Sequence, residues 1–217
     1  MHKLPLFPLH TVLFPGMPLP LHIFEERYKQ MIQLCMDEDE LFGIVLIRHG
    51  SEALGPLAEP HTIGCTARIV DVQTLAEGRM NITTIGEHRF RILSLDHGSP
   101  YLIGEVEYYP IEADLPEQLT PPARRLAPKV KQYMHLLNEI EEIELDPDQL
   151  PEDPLELAHL GAILLQMPPE KKQELLRSPS ALEMLNLSNH IYDREIAFLR
   201  AIIKHGKDEQ QSPITNN

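Results

Sequence analysis

Over the first half of the chain, apolar positions recur in short β-branched runs separated by turn residues. These runs predict strands over 41–48, 62–75, 79–85, 89–95 and 101–109. One stretch breaks the pattern. Phe24, Tyr28, Met31, Ile32 and Cys35 fall on one face at helical spacing, so a single helix is expected inside the β region, plugging or flanking it. Beyond about residue 112 the apolar period becomes that of a helix, and helices are predicted over 121–142 with a break or kink near Pro128, 154–166, 169–177 and 179–204.

Punctuation supports this division. Of the 11 glycines, only Gly161 and Gly206 lie beyond residue 112, so tight turns concentrate in the β part. Ala76-Glu77-Gly78 reads as a short hairpin loop and 96–100 as a longer one, which favours antiparallel neighbours and a sheet curling into a barrel. Prolines 5, 8, 15, 18 and 20 lack amide donors, so the opening segment suits edge strands and irregular crossings better than a central strand. Each predicted helix begins near a proline. Asp153-Pro154-Leu155-Glu156 adds a capping box, and Ser178 or Ser180 is placed to cap the last helix. The expected organisation is a β subdomain over 1–112, a helical subdomain over 113–206, and a disordered polar tail over 207–217. The helices are too apolar on one face to be solvated, so they are expected to dock rather than move freely.

Composition narrows the function classes. At 217 residues, 42% hydrophobic and 24% charged, the chain has the makeup of a folded globular protein. Its formal net charge of −14 opposes binding to a phosphate backbone, and the basic pairs Arg124-Arg125 and Lys171-Lys172 lie among acids on predicted helices. Nucleic acid is therefore not expected as a partner. No apolar run is long enough to span a membrane, and prolines interrupt any secretory leader, so a cytoplasmic location is expected. Cys35 and Cys65 match neither a disulfide framework nor a zinc or redox spacing and read as reduced core thiols.

Catalytic motifs are sparse. The one Gly-Lys pair, Gly206-Lys207, is followed by Asp208 and has Ala201 where a phosphate loop needs its first glycine. No H-E-x-x-H and no G-x-S-x-G occurs. His10, His22 and Glu25 are the nearest approach to a metal set, and ordinary hydrogen-bonded or exposed histidines account for them. The run Asp37-Glu38-Asp39-Glu40 bunches its acids where a hard-cation loop would space them, so it reads as a solvated helix exit. No cofactor is expected.

One long ordered string remains: Pro5-Leu6-Phe7-Pro8-Leu9, Val12-Leu13-Phe14-Pro15-Gly16 and Leu19-Pro20-Leu21-His22-Ile23-Phe24-Glu25-Glu26-Arg27-Tyr28. It resembles the opening of the N-terminal, substrate-binding domain of the ATP-dependent protease Lon. The similarity continues through Leu41-Phe42-Gly43-Ile44-Val45, Gly64-Cys65-Thr66-Ala67, Gly86-Glu87-His88-Arg89-Phe90-Arg91-Ile92, Pro100-Tyr101-Leu102 and the helical Pro169-Glu170-Lys171-Lys172-Gln173-Glu174-Leu175-Leu176. The resemblance implies an α+β fold, a PUA-like antiparallel β pseudobarrel with one embedded helix, followed by a docked C-terminal helical subdomain. The chain looks like a stand-alone member of the LON-domain group, ending where the ATPase module would begin and lacking the Ser-Lys peptidase segment. It is not expected to be an enzyme.

Such a resemblance implies a partner of unfolded or apolar polypeptide, handled as an adaptor or chaperone-like module alongside components of a proteolytic system. The alternative is a small ligand in a cleft between barrel and helical subdomain. Strand addition to a proline-rich edge at Phe14, Met17, Leu19 and Leu21 is the expected mode of peptide binding. Glu25, Arg27, Arg68 and Arg89 are charges in the most apolar part of the chain, and Glu25 is expected to pair with a barrel arginine and fix the helix to the sheet.

Overall fold

The computed structural model describes residues 2–51, 58–141 and 145–211, and the last six positions of the expected tail lie outside them. Two compact units emerge. The first comprises 1–111 together with 166–179, and the second 112–165 together with 180–217.

In the first unit the strands are β1 (His2–Leu9), β2 (Pro18–Ile23), β3 (Phe42–His49), the short β4 (Glu59–Pro60), β5 (Ile63–Thr74), β6 (Met80–Asp96) and β7 (Leu102–Tyr108). They are joined in the order β1-β7-β6-β5-β3-β4, and a parallel pairing of β1 with β3 closes a ring. β1 is thus no edge strand, contrary to the reading of its prolines. It changes partner at Leu6: residues 2–6 pair with β7, and 6–9 pair with β3. Pro5 and Pro8 each sit in a half laddered on one side only, which leaves a free side toward which a residue without an N–H can face.

β6 is one strand of 17 residues where two shorter ones were expected. Gly86, read as a turn signal, lies in mid-strand, where its N–H donates to the Met17 carbonyl (3.0 Å) and its own carbonyl accepts from Gly16 N–H (2.8 Å). The glycine admits the crossing 14–17 segment. Close approach also explains Gly64: a Cβ there would stand 2.5 Å from the Ile44 carbonyl oxygen and 2.7 Å from the Phe90 ring. The hairpin at Ala76–Gly78 forms as expected, with positive φ at Glu77 and Gly78.

Helix α1 (Glu26–Glu38) buries Tyr28, Met31, Ile32 and Cys35 against Phe7, Phe42, Ile44 and Ile82. Phe7 stacks on Tyr28 at 4.0 Å between ring centroids. Phe24, expected on this face, precedes the helix and is 48% exposed. A second cluster, Leu4, Leu6, Val45, Phe90, Leu102 and Val106, lies on the opposite face of β1 and β3, because Leu6 and Phe7, like Ile44 and Val45, are successive residues of one strand.

Helix α4 (Pro169–Leu176) belongs to this unit, although the change in apolar period near residue 112 suggested an uninterrupted helical region from there on. Gln173 Nε2 donates to the Ile63 carbonyl (2.9 Å). Arg89, only 5% exposed, donates through Nη1 to the carbonyls of Leu176 (2.7 Å) and Ser178 (2.6 Å). A buried cation thus sits at the negative end of α4, which closes without a glycine cap.

The second unit contains α2 (Pro116–Glu141), α3 (Pro154–Leu164) and α5 (Ala181–Gln211). α2 starts before its predicted limit and runs through Pro121, Pro122 and Pro128. Asn189 Nδ2 donates to the Pro122 and Leu185 carbonyls, both at 2.9 Å. Tyr133 and Tyr192 meet edge to face, and the Tyr192 hydroxyl donates to the Gly161 carbonyl (2.8 Å). Asp153 caps α3 by accepting from Leu155 and Glu156 N–H, and Ser180 accepts from Glu183 N–H at the start of α5. α5 extends to Gln211, into the stretch expected to be a disordered tail.

Candidate functional site

β2, the N-terminal half of β6 and the C-terminal half of β5 form a three-stranded extension of the ring. β2 pairs with β6 in the register Leu19 to Thr84, Leu21 to Ile82 and Ile23 to Met80. Antiparallel residues alternate between bonding a neighbour and facing away from it. Pro18 and Pro20 have no N–H, so they occupy the positions that face away, and the Gly86-to-Met17 bond continues the same alternation. The free edge of β2 therefore offers the carbonyls of Pro18, Pro20 and His22 but one amide donor, that of His22. The prolines read as favourable for strand addition therefore leave this edge short of donors.

The expected contact residues separate accordingly. Phe14 is 0% exposed and belongs to the core. Met17, Leu19 and Leu21 are half-buried and pack against the α1 cluster, leaving part of each side chain at the surface. Beside Leu21 lies an open groove of about 200 Å³ lined by Phe7, Leu9, Leu21, Phe24 and Tyr28 among others. The Phe24 ring stacks on His22 at 5.8 Å, and His22 Nδ1 is 2.7 Å from Asn81 Oδ1. An exposed aromatic thus stands at the rim of an apolar depression. Sequence periodicity missed it because Phe24 falls in register with the helix it precedes.

Of the four charged residues, Glu25 is paired with Arg27, two positions on at 3.0 Å, and not with Arg68 or Arg89. Arg68 binds Glu87 and approaches Asp39 at 3.7 Å, and the Glu87 carboxylate raises the Arg68 pKa. Arg89 binds the α4 carbonyls, and burial lowers its pKa. The expected bond from Glu25 to a barrel arginine is replaced by a local one, because the barrel arginines already have nearer acceptors.

Burial pushes the Cys35 thiol up to about 11 and Cys65 higher still. Both are free and neither is placed for nucleophilic work. Among the described residues, no group of three or more His, Cys, Asp or Glu is arranged to hold a metal, and no helix is long and apolar enough to cross a membrane.

A closed, mostly antiparallel ring with one helix packed on a face of its strands, accompanied by a helical subdomain, defines an α+β pseudobarrel protein whose accessible features are surface grooves. The family model described as the ATP-dependent protease La (LON) substrate-binding domain matches residues 3–194, and the chain belongs to that family. A Lon protease of Anaeromyxobacter dehalogenans is 27% identical over 197 residues, covering 87% of this chain and 23% of that protein. A Lon protease of Syntrophus aciditrophicus is 35% identical over 116 residues, covering 52% of this chain and 14% of that protein. The chain thus spans about a quarter or less of the length of these relatives. A crystal structure of a Lon N-terminal domain protein from Xanthomonas campestris aligns with a TM-score of 0.60 and 25% identity, covering 86% of this chain and 96% of that one. The N-terminal domain of a Mycobacterium avium complex Lon protease shares the fold, with a TM-score of 0.67, 22% identity and coverage of 88% and 98%. The family match is to the substrate-binding domain, not to a catalytic one.

Proposed function

We propose that the chain is a non-catalytic polypeptide-binding module that takes unfolded or apolar segments, as an adaptor or chaperone-like partner of a proteolytic system. The observation that carries this reading is the half-exposed Phe24 at the rim of the groove beside Leu21, within the family of substrate-binding domains. A client side chain entering the groove buries apolar surface against Leu9, Leu21 and Tyr28, and Met17 and Leu19 extend the contact along β2. Phe14 stays in the core. Ordering a flexible client offsets much of this gain, so affinity is micromolar or weaker, about −8 kcal/mol at most. The net charge of −14 favours neutral or basic segments over acidic ones.

The test is a fluorescence-anisotropy titration of a labelled, permanently unfolded polypeptide against wild type, Met17→Glu and Phe24→Asp. Saturable binding weakened about tenfold or more by either charge supports the groove. No binding by the wild type removes the function, and binding indifferent to both substitutions removes the site.

A further inference from the structure

β5 carries the opposite edge of the three-stranded extension, and this edge is open. Its pairing with β3 ends at Ala67, and beyond that residue β6 is its one ladder partner among the described residues. The Leu75 N–H donates to the Arg79 carbonyl (2.7 Å), which fixes the alternation: Gln73 and Asp71 bond toward β6, whereas Val72 and Thr74 turn their N–H and C=O groups outward. A register shift at Val70 leaves that residue bulged. Unlike β2, this edge contains no proline, so its outward donors are intact.

The side chains agree with the backbone. Val70 is 51% and Val72 37% exposed, which places apolar side chains along an open strand edge, where natural sheets favour charges or proline. Along the edge runs an open groove of about 330 Å³, with Met36, Asp39 and Glu40 on one wall and Arg68, Val70 and Val72 on the other. Asp71 also lines it, and Arg68 is already engaged by Glu87 and Asp39, so the groove presents negative charge to an incoming chain.

We infer that the β5 edge from Arg68 to Thr74 captures an extended polypeptide by strand addition, selecting segments in which apolar residues alternate with Lys or Arg. The inference rests on the reading of the chain as a polypeptide-binding module and assigns a second surface for it, on the edge opposite the Phe24 groove. Main-chain bonds to Val72 and Thr74 supply sequence-tolerant affinity, the exposed valines meet the apolar side chains, and Asp39, Glu40 and Asp71 meet the basic ones. A second copy of this chain is a poor occupant, because two molecules of charge −14 repel.

The experiment uses the full chain and a short fluorescein-labelled peptide alternating Lys and Val, with N-methyl groups placed one at a time along its backbone. Strand addition predicts that affinity falls at least about fivefold at every second methyl position and little at the others. It also predicts slower hydrogen exchange at the Val72 and Thr74 amides when peptide is bound, and a similar loss of affinity in Val72→Pro, whose missing N–H faces away from β6. An alternating Glu and Val peptide should bind more weakly at low salt. Peptide binding without the two-residue periodicity or the amide protection overturns strand addition but leaves the polypeptide-binding function standing. No binding of any peptide or unfolded chain overturns both. Concentration-dependent dimerisation that Val72→Pro abolishes assigns the edge to a second copy and overturns the inference.

Discussion

Replacing Arg89 with Met removes two short hydrogen bonds, to the carbonyls of Leu176 at 2.7 Å and Ser178 at 2.6 Å, and keeps a side chain of similar length over the Tyr109 ring. Two buried carbonyls then lose their donor. Each unsatisfied acceptor costs about 1–3 kcal/mol. The loss is partly offset, because wild type carries a desolvated cation whose Nη2 finds no protein partner among the described residues. The net expectation is a destabilisation of about 2–4 kcal/mol. Arg89→Lys keeps the charge but not the planar fork or its stacking, and should cost less, about 1–2 kcal/mol. Equilibrium urea unfolding followed by circular dichroism measures the loss. Hydrogen exchange resolved to peptides localises it, with residues 166–179 deprotected first. Arg89→Met within about 0.5 kcal/mol of wild type, or unchanged exchange in α4, would refute the argument that this cation holds the helix.

Three further expectations follow from the packing and the ionisable groups. Gly64→Ala drives a methyl into the Ile44 carbonyl and the Phe90 ring and should cost about 3 kcal/mol or prevent folding, whereas Gly16→Ala, in open space at φ 78°, should cost about 1 kcal/mol; chemical denaturation compares them. Burial raises the Cys35 thiol from 9.0 to about 11, so the fold favours the neutral form; its stability contribution is whole below pH 9 and lost as pH climbs through 11, on the order of 3 kcal/mol, and Cys35→Ala should flatten that alkaline decline in pH-dependent unfolding. Asp153→Ala leaves Leu155 and Glu156 N–H without their acceptor and should cost about 1 kcal/mol by thermal unfolding.

Local chemistry was legible wherever neighbours in sequence are partners in space. The hairpin at Ala76–Gly78, the caps by Asp153 and Ser180, and the α1 face of Tyr28, Met31, Ile32 and Cys35 all follow from spacing alone. Partners distant in sequence left weaker marks. The prolines of β1 suggested an edge because nothing local reveals a strand that switches neighbours at Leu6. Glu25 was matched to the wrong arginine because composition shows which charges exist and not which acceptor is nearest. One sign of the Arg89 arrangement was present: Arg177-Ser178-Pro179 ends α4 with no glycine, so its last carbonyls required a donor from elsewhere. At the candidate surface, the family string singled out β2 for peptide contact, but its spacing does not reveal that backbone alternation turns Pro18 and Pro20 toward the free edge, where they offer no donor.

The bonds from Arg89 to α4 also have a consequence in time. They join residues up to 89 positions apart, and the residues of the whole second-unit stretch 112–165 lie between the two halves of the first. A ribosome adding about 5–20 residues per second needs roughly 4–18 s to travel from Arg89 to Ser178. During that interval the ring can close, since β7 ends at Tyr108, but its buried guanidinium has no carbonyls to receive it. The nascent barrel is thus held in an incomplete state until the helical stretch has been made. A fragment cut at residue 112, the natural place to divide the chain by its apolar period, should keep that state permanently and be prone to association through the surface that α4 would cover.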